Sequence, residues 1–298
     1  MKNILFEGVY SATFSIYDEQ LNVKKTSVKQ LINYNLKNGV VGFYVGGNTG
    51  ECTVLPNKTR KQMLEAVKEY SKPDTHIIAH VGSGHLDDVE DLIYHANSVG
   101  VDAIASLPPS LTAFYKPDEI VDYYRHIASI SKTPVLAYVT PVLNCDTLWY
   151  ANEIMKIENM AGIKLSIADY YTFERVKLVN NGDINILNGP DECMLSGLAM
   201  GADGAIGTTY NFLPATACKL YDNFKLGNIE EARKYQHKLN DFINTMFNCP
   251  LRSWKPILQA LDIDPGHLVA PRKMPTSDEL NQTLKRLNDL GCFSEETL

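Results

Sequence analysis

The sequence of 298 residues lacks long hydrophobic runs and an excess of basic charge. No segment approaches the roughly eighteen consecutive apolar residues that a membrane helix requires. The net charge is −7, and Lys and Arg do not cluster, which argues against a nucleic-acid partner. The apolar part of the N-terminus is too short and broken for a signal peptide. We therefore expect a cytoplasmic protein that binds neither nucleic acid nor a membrane.

Cysteine and histidine groupings with metal-ligand spacing are also missing. The six cysteines lie far apart without a CxxC pair, which indicates reduced thiols rather than a disulfide framework or a zinc site. His76, His80 and His85 are spaced i, i+4 and i+9, which matches no standard zinc motif, so structural roles are favoured over metal ligation. The sequence thus predicts no metal site.

The sequence does have an alternation of short β-rich runs with amphipathic stretches. The runs begin near residues 8, 40, 76, 101, 134, 162, 184 and 204. Between them, segments such as KTSVKQLINYNLKNG place apolar residues at three- and four-residue spacing, which is typical of helices. Eight such units favour a closed (β/α)8 TIM barrel over an open doubly wound sheet, and no GxGxxG follows the first run.

The strand pattern stops after residue 210. Residues 215–248 and 277–291 have helical patterns instead, and no Ser/Gly-rich linker separates them from the barrel. We predict that residues 1–210 form the barrel and carry the catalytic site. Residues 211–298 are predicted to form a C-terminal helical extension that completes the barrel and packs on it.

Active sites of such barrels form where strands end, so the residues at the predicted strand ends are the candidates. In GIKLS, Ile163 and Leu165 share one face and Lys164 points to the other. An interior ammonium is poorly tolerated, so this lysine is either exposed or used. A desolvated lysine amine can attack a ketone, and the resulting imine permits carbon–carbon cleavage without a metal. Tyr138, one strand earlier, could move a proton, although an isolated strand tyrosine is more often a core residue.

Three further strand ends carry polar residues. In YVGGNTGE, glycines shape a turn whose N–H groups can converge on an anion, with Asn48 and Thr49 as extra donors. An ordinary glycine-rich turn is the alternative. In LNGPDE, Asp191 and Glu192 either accept hydrogen bonds from a polyhydroxylated ligand or complement a helix dipole. Thr208, after the last strand, can also face the mouth.

These motifs resemble those of the N-acetylneuraminate lyase and dihydrodipicolinate synthase superfamily of pyruvate-dependent class I aldolases. YVGGNTGE, AHVG, AYVTP, GIKLS and GADGAIGTTYN carry the resemblance over nearly the whole chain. LNGPDE and GTTYN look most like the sialic acid lyase branch, and YVTPVLN lacks the arginine that dihydrodipicolinate synthases usually carry there. The resemblance implies a homotetramer without a cofactor that reversibly cleaves N-acetylneuraminate to N-acetylmannosamine and pyruvate.

The resemblance also implies a role for each candidate residue. Lys164 would form the imine with pyruvate, and Tyr138 would transfer a proton near the C4 hydroxyl of the sugar. Asn48 and Thr49 would hold the pyruvate carboxylate. The residues expected to contact the sugar are Ser166, Gly189, Asp191, Glu192 and Thr208.

The chain departs from the family pattern at three places. Asn48 stands where the family has Ser or Thr, and an amide is a poor relay for a hydroxyl proton. Ser166 stands where threonine is more frequent. The family's aromatic stretch after strand four does not align with LPPSLTAFYKP, so Phe114 and Tyr115 receive no role. Two alternatives stay open. One is another pyruvate-dependent aldolase of the same superfamily, which acts on a different sugar acid or aldehyde or resembles dihydrodipicolinate synthase. The other is a non-catalytic barrel that binds a sugar acid.

Overall fold

Eight short strands recur along the chain in a computed structural model that describes residues 5–109, 114–141, 143, 145–251 and 253–294. The strands are β1 Gly8–Ala12, β2 Gly42–Val45, β3 His76–His80, β4 Ala103–Ser106, β5 Val135–Val139, β6 Met160–Leu165, β7 Asn185–Asn188 and β8 Gly204–Gly207. Every run predicted to be β-rich overlaps one of them.

The strands form one closed parallel barrel in chain order, and β8 pairs back onto β1. The predicted (β/α)8 barrel is therefore confirmed. In the register of the sheet, Tyr138 on β5 pairs with Lys164 on β6, which in turn pairs with Leu187 on β7. This register places the candidate lysine and tyrosine side by side near the carboxyl ends of their strands.

Helices connect successive strands and continue after the last one. The α-helices in the described part of the chain are α1 Lys25–Lys37, α2 Asn57–Tyr70, α3 Leu86–Val99, α4 Pro117–Ile130, α5 Thr147–Ile154, α6 Tyr170–Lys177, α7 Met194–Ala199, α8 Pro214–Lys225, α9 Ile229–Phe247 and α10 Ser277–Asp289. None of the helices described is long and apolar enough to cross a membrane.

Two separate apolar clusters follow from the alternation of side chains along the strands. The larger lies between the barrel and the helices and includes Ile163 and Leu165. The smaller fills the barrel interior and includes Tyr44, Tyr138 and Leu187. Because neighbouring strand residues face opposite ways, Lys164 enters the interior, as its position between Ile163 and Leu165 predicted.

Residues beyond β8 pack on the barrel through aromatic side chains, since the ring of Phe212 lies 5.4 Å from that of Phe14, which follows β1. The ring of Phe212 stacks on that of Phe242 in α9 at a centroid distance of 5.2 Å, and Phe242 meets Trp254 edge to face. The stretch predicted to be helical from residue 215 is interrupted at Gly227, where φ is +80°. We propose the division of the chain into a barrel at residues 1–210 and an extension at 211–298 that completes it.

Candidate active site

Lys164 lies near the carboxyl end of β6 with its side chain only 6% exposed. Its Nζ lies 4.2 Å from the ring centroid of Tyr138 and 4.6 Å from that of Tyr44. Aromatic faces attract a cation at such distances. Among the described residues, no carboxylate forms an ion pair with Lys164. The amine is therefore held by two aromatic rings instead of a structural counter-ion, which leaves it available for chemistry.

Tyr44 is a site residue that the sequence argument did not select. It occupies the next-to-last position of β2, and its ring meets that of Tyr138 edge to face at 6.2 Å. Burial raises the pKa of Tyr44 well above its usual range, so the phenol stays neutral. The signal was present in the sequence, because Tyr44 alternates with the outward-facing Phe43 and Val45.

The glycine turn follows β2 directly. Gly46 has φ +76°, and a side chain at Gly47 would collide with the ring of Tyr44 at 2.4 Å. The backbone N–H groups of Asn48 and Thr49 donate to no acceptor among the residues described, whereas Glu51 N donates to Asn48 O at 3.0 Å. Two neighbouring unpaired N–H groups in a glycine turn are a suitable site for an anion.

The two candidates in this turn differ in their surroundings. Thr49 is half-buried, and its Oγ1 lies 2.5 Å from Oγ1 of Thr208, which follows β8. Asn48 is exposed, and its Oδ1 accepts a weak hydrogen bond from Cys52 Sγ at 3.5 Å. The structure thus joins Thr49 to Thr208 and leaves the amide of Asn48 at the surface of the turn.

A cavity of about 360 Å³ opens at the mouth of the barrel beside β6, β7 and β8. All five residues expected to contact a sugar line it, together with five others from the loops and the C-terminal region. The lining residues are Ser166, Gly189, Pro190, Asp191, Glu192, Thr208, Thr209, Ile243, Phe247 and Trp254. Pro190 and Thr209, which adjoin predicted residues, were not selected. Ile243, Phe247 and Trp254 were not predicted because their approach to the mouth depends on long-range packing.

Close packing explains the glycine at position 189. An added Cβ there would lie 1.7 Å from Ser166 Oγ, so any side chain would displace Ser166. Ser166 follows Lys164 by two positions and therefore points to the same side of the chain. Lys164 and Tyr138 do not themselves line this cavity. They lie in the barrel interior, and Ser166 connects the lysine strand to the cavity.

Asp191 and Glu192 sit differently although they are adjacent. Glu192 is exposed, whereas Asp191 is buried and its Oδ2 accepts the N–H of Thr209 at 2.6 Å. Burial raises the pKa of Asp191 to about 6, and the Thr209 hydrogen bonds oppose that rise. The backbone oxygen of Asp191 also accepts from Gln236 Nε2 of α9 at 3.1 Å. Asp191 is thus held rigidly, with a carboxylate that is costly to ionise.

The histidines at positions 76, 80 and 85 are spread along β3 and the loop that follows it. His80 is buried, its Nδ1 lies 3.1 Å from Gly46 O, and its Nε2 accepts the N–H of Leu107. Burial, with the nearby charge of Arg60, lowers the pKa of His80 well below its usual range, so the ring is neutral. In the described ranges, no three His, Cys, Asp or Glu side chains are grouped to hold a metal ion.

These features define the class of protein: a (β/α)8 barrel with a buried lysine beside two tyrosines, a glycine turn with two unpaired N–H groups among the described residues, and a polar cavity at one mouth. Residues 5–289 match the profile of the Dihydrodipicolinate synthetase family. The chain belongs to this family, as its motifs indicated.

Relatives in the sialic acid lyase branch are similar over nearly their whole length. The N-acetylneuraminate lyase of Mediterraneibacter gnavus is 34% identical over 99% of this chain and 96% of its own. The structure of wild-type Ruminococcus gnavus sialic acid aldolase superposes with a TM-score of 0.88 at 30% identity, covering 96% of this chain and 98% of that one. The catalytic-lysine mutant of that aldolase gives a TM-score of 0.89 at 30% identity over 98% and 99%.

Proposed function

We propose that the protein is a Schiff-base lyase that cleaves N-acetylneuraminate to N-acetylmannosamine and pyruvate. The observation that carries the proposal is Lys164, buried in the barrel interior near the carboxyl end of β6 against two tyrosine rings, with Ser166 two residues further on lining the polar cavity. Relatives that are N-acetylneuraminate lyases share about a third of its residues. A buried amine without an ion-pair partner is suited to nucleophilic attack.

The proposed reaction begins with the neutral amine of Lys164 attacking the ketone carbon of the open-chain sugar acid. Loss of water, with the Tyr138 hydroxyl donating a proton, leaves a protonated imine and a Tyr138 phenolate. The imine withdraws the electrons of the C3–C4 bond as that bond breaks. Tyr138 takes the proton of the C4 hydroxyl, so that N-acetylmannosamine leaves as an aldehyde. The remaining enamine gains a proton at C3, and water then releases pyruvate and free Lys164.

Binding roles are proposed for the polar residues around the lysine. The unpaired N–H groups of the glycine turn, with Asn48 and Thr49, would hold the carboxylate of pyruvate. The cavity would hold the rest of the sugar, with hydroxyl groups donating to the carboxylates of Asp191 and Glu192. The remaining proposed sugar contacts are Ser166, Gly189 and Thr208.

We also propose a homotetramer in the cytoplasm, on the basis of the family resemblance. Large apolar side chains such as Tyr171 and Leu226 are about three-quarters exposed at 76% and 75%, and a subunit interface would bury such surface. Light scattering after size exclusion should give about four times the chain mass of 33.3 kDa.

A second pyruvate-dependent aldolase activity is favoured by one observation. Asn48 replaces the Ser or Thr of the family turn and lies exposed at the mouth, where it could meet a different aldehyde. A pure binding barrel is disfavoured because Lys164 and Tyr138 are both kept and lie together.

The test is a steady-state assay of pyruvate release from N-acetylneuraminate, run beside a panel of other 2-keto-3-deoxy sugar acids. We expect N-acetylneuraminate to have the highest kcat/KM and Lys164→Ala to abolish release. A higher kcat/KM for another acid would support the second aldolase activity. No release from any acid by the unaltered protein would refute both.

A further inference from the structure

A buried ion pair lies behind the glycine turn, and the proposed reaction does not use it. Glu51, the last residue of the YVGGNTGE motif, is 4% exposed and has a left-handed backbone with φ +62°. Its Oε2 accepts hydrogen bonds from Tyr17 Oη at 2.6 Å and Lys255 Nζ at 3.0 Å. Its Oε1 accepts one from Arg272 Nη1 at 2.8 Å.

Lys255 is even more deeply buried, at 1% exposure. Its Nζ also donates to Ser15 O at 3.1 Å and lies 3.9 Å from the ring centroid of Tyr17. Burial lowers the pKa of this lysine, while Glu51 opposes that shift. Removing two charges from water is costly, and such pairs are often no more stabilising than apolar residues. Stability alone therefore explains this arrangement poorly.

The geometry around Glu51 offers a better explanation. Ser15 Oγ donates to Gly50 O at 2.8 Å, and Glu51 N donates to Asn48 O at 3.0 Å. Hydrogen bonds from the loop after β1 and from the C-terminal region thus hold Gly50 and Glu51 in place. Asn48 and Thr49 immediately precede these two residues. Their backbone N–H groups have no acceptor in the described structure. The direction of those N–H groups depends on where Glu51 is held.

We propose that Glu51 is a positioning residue that, through Lys255 and Arg272, aims the amides of the glycine turn at the substrate carboxylate. The inference rests on the proposed function, since it takes the turn to be the carboxylate site. It also gives the C-terminal region a role in the site: Lys255 and Arg272 come from 204 and 221 residues further along the chain. Removing the hydrogen bonds that Glu51 accepts from Lys255 and Arg272 should weaken carboxylate binding more than it slows imine formation.

The chain offers a matched control at the other end of the barrel. Lys177 Nζ lies 2.7 Å from Asp203 Oδ2, and both side chains are largely buried. Asp203 also accepts the N–H of Ile186 near the start of β7, far from the glycine turn along the strand direction. Asp203→Asn should therefore lower stability without changing the carboxylate site.

The experiment measures borohydride trapping of pyruvate against pyruvate concentration, with a melting curve for each variant. Glu51→Gln should raise the half-saturating pyruvate concentration by about tenfold or more, with the maximal trapping rate within about threefold, because a charged hydrogen-bond network is lost behind the turn. The double variant Glu51→Gln/Lys255→Met should have a higher melting temperature than Glu51→Gln. Its half-saturating pyruvate concentration should stay raised. Arg272→Ala changes a half-exposed position and should raise the half-saturating pyruvate concentration by less. If the other variants do not fold, this variant tests the inference.

If the half-saturating pyruvate concentration is unchanged in the folded variants, the inference is overturned. It is also overturned if Asp203→Asn raises that concentration equally. Saturable trapping by the unaltered protein is the internal reference. If the unaltered protein itself shows none, the proposed function is overturned, and this inference with it.

Discussion

Oγ1 of Thr49 and Oγ1 of Thr208 lie 2.5 Å apart, which joins the turn after β2 to the loop after β8. The hydrogen bond connects the proposed carboxylate site to the sugar cavity, because Thr208 lines that cavity. One hydroxyl donates and the other accepts, so each has a further hydrogen-bonding capacity for a ligand. The carboxylate end and the sugar end of the proposed substrate would therefore be bound by two loops that are hydrogen-bonded to each other.

Removing the hydroxyl of Thr208 should weaken substrate binding. Thr208→Val keeps the side-chain volume but deprives Thr49 of its partner, and we expect KM for N-acetylneuraminate to rise about two- to tenfold. Thr208→Ser keeps the hydroxyl and serves as the control, with KM close to that of the unaltered protein. A rise in KM for Thr208→Ser as large as that for Thr208→Val would contradict this, because loss of the hydroxyl would then not account for the weaker binding.

Asn48→Ser should accelerate the reaction. A serine can both bind a carboxylate and pass on a proton, whereas the Asn48 amide relays a proton poorly. Acid–base assistance is typically worth a hundredfold or more, so we expect kcat on N-acetylneuraminate to rise by at least about tenfold, with little change in pyruvate affinity. A fall in kcat would instead indicate that Asn48 is adapted to another substrate.

The aromatic face of Tyr44 should matter more than its hydroxyl. Its ring lies 4.6 Å from Lys164 Nζ, and its buried hydroxyl has no partner among the described residues. Tyr44→Phe should leave kcat within about twofold, whereas Tyr44→Leu should lower it by about 2- to 30-fold, because a cationic imine loses a stabilising ring face. Kinetics of both variants with N-acetylneuraminate test this. A larger loss in the Phe variant would contradict it.

Asp191 should make the native state less stable as pH rises. Its folded pKa of about 6 lies above the unfolded value of about 4, so the native state binds the proton more tightly and loses stability between these two pH values. Asp191→Asn keeps an acceptor for the N–H of Thr209 and removes the titration. Its melting temperature relative to the unaltered protein should thus rise from pH 4 to 7 and level off above. A constant or shrinking difference would be inconsistent with this.

Much of the fold follows from local periodicity. Alternating side chains in GIKLS were enough to direct Lys164 away from Ile163 and Leu165, and eight repeated units were enough to predict closure. The helix boundary at Gly227 was missed because the amphipathic pattern continues across it, while one residue with φ +80° ends the helix.

The candidate site could be predicted only where a strand end marked it. Lys164, Tyr138 and Thr208 each stand near the carboxyl end of a strand, so barrel geometry brings them to one mouth. The pairing of Glu51 with Lys255 depends on how the C-terminal region packs, and no pattern in the sequence links positions 204 residues apart. The same holds for Trp254 at the cavity.

The central claim is that Lys164 forms an imine with pyruvate. Borohydride reduction in the presence of pyruvate, followed by peptide mass mapping, tests it most directly. We expect one covalent adduct, located on Lys164, and no adduct in Lys164→Ala. Lys255→Met provides a control for the other deeply buried lysine and should still be labelled at Lys164. An adduct on another lysine, or no adduct at saturating pyruvate, would contradict the account.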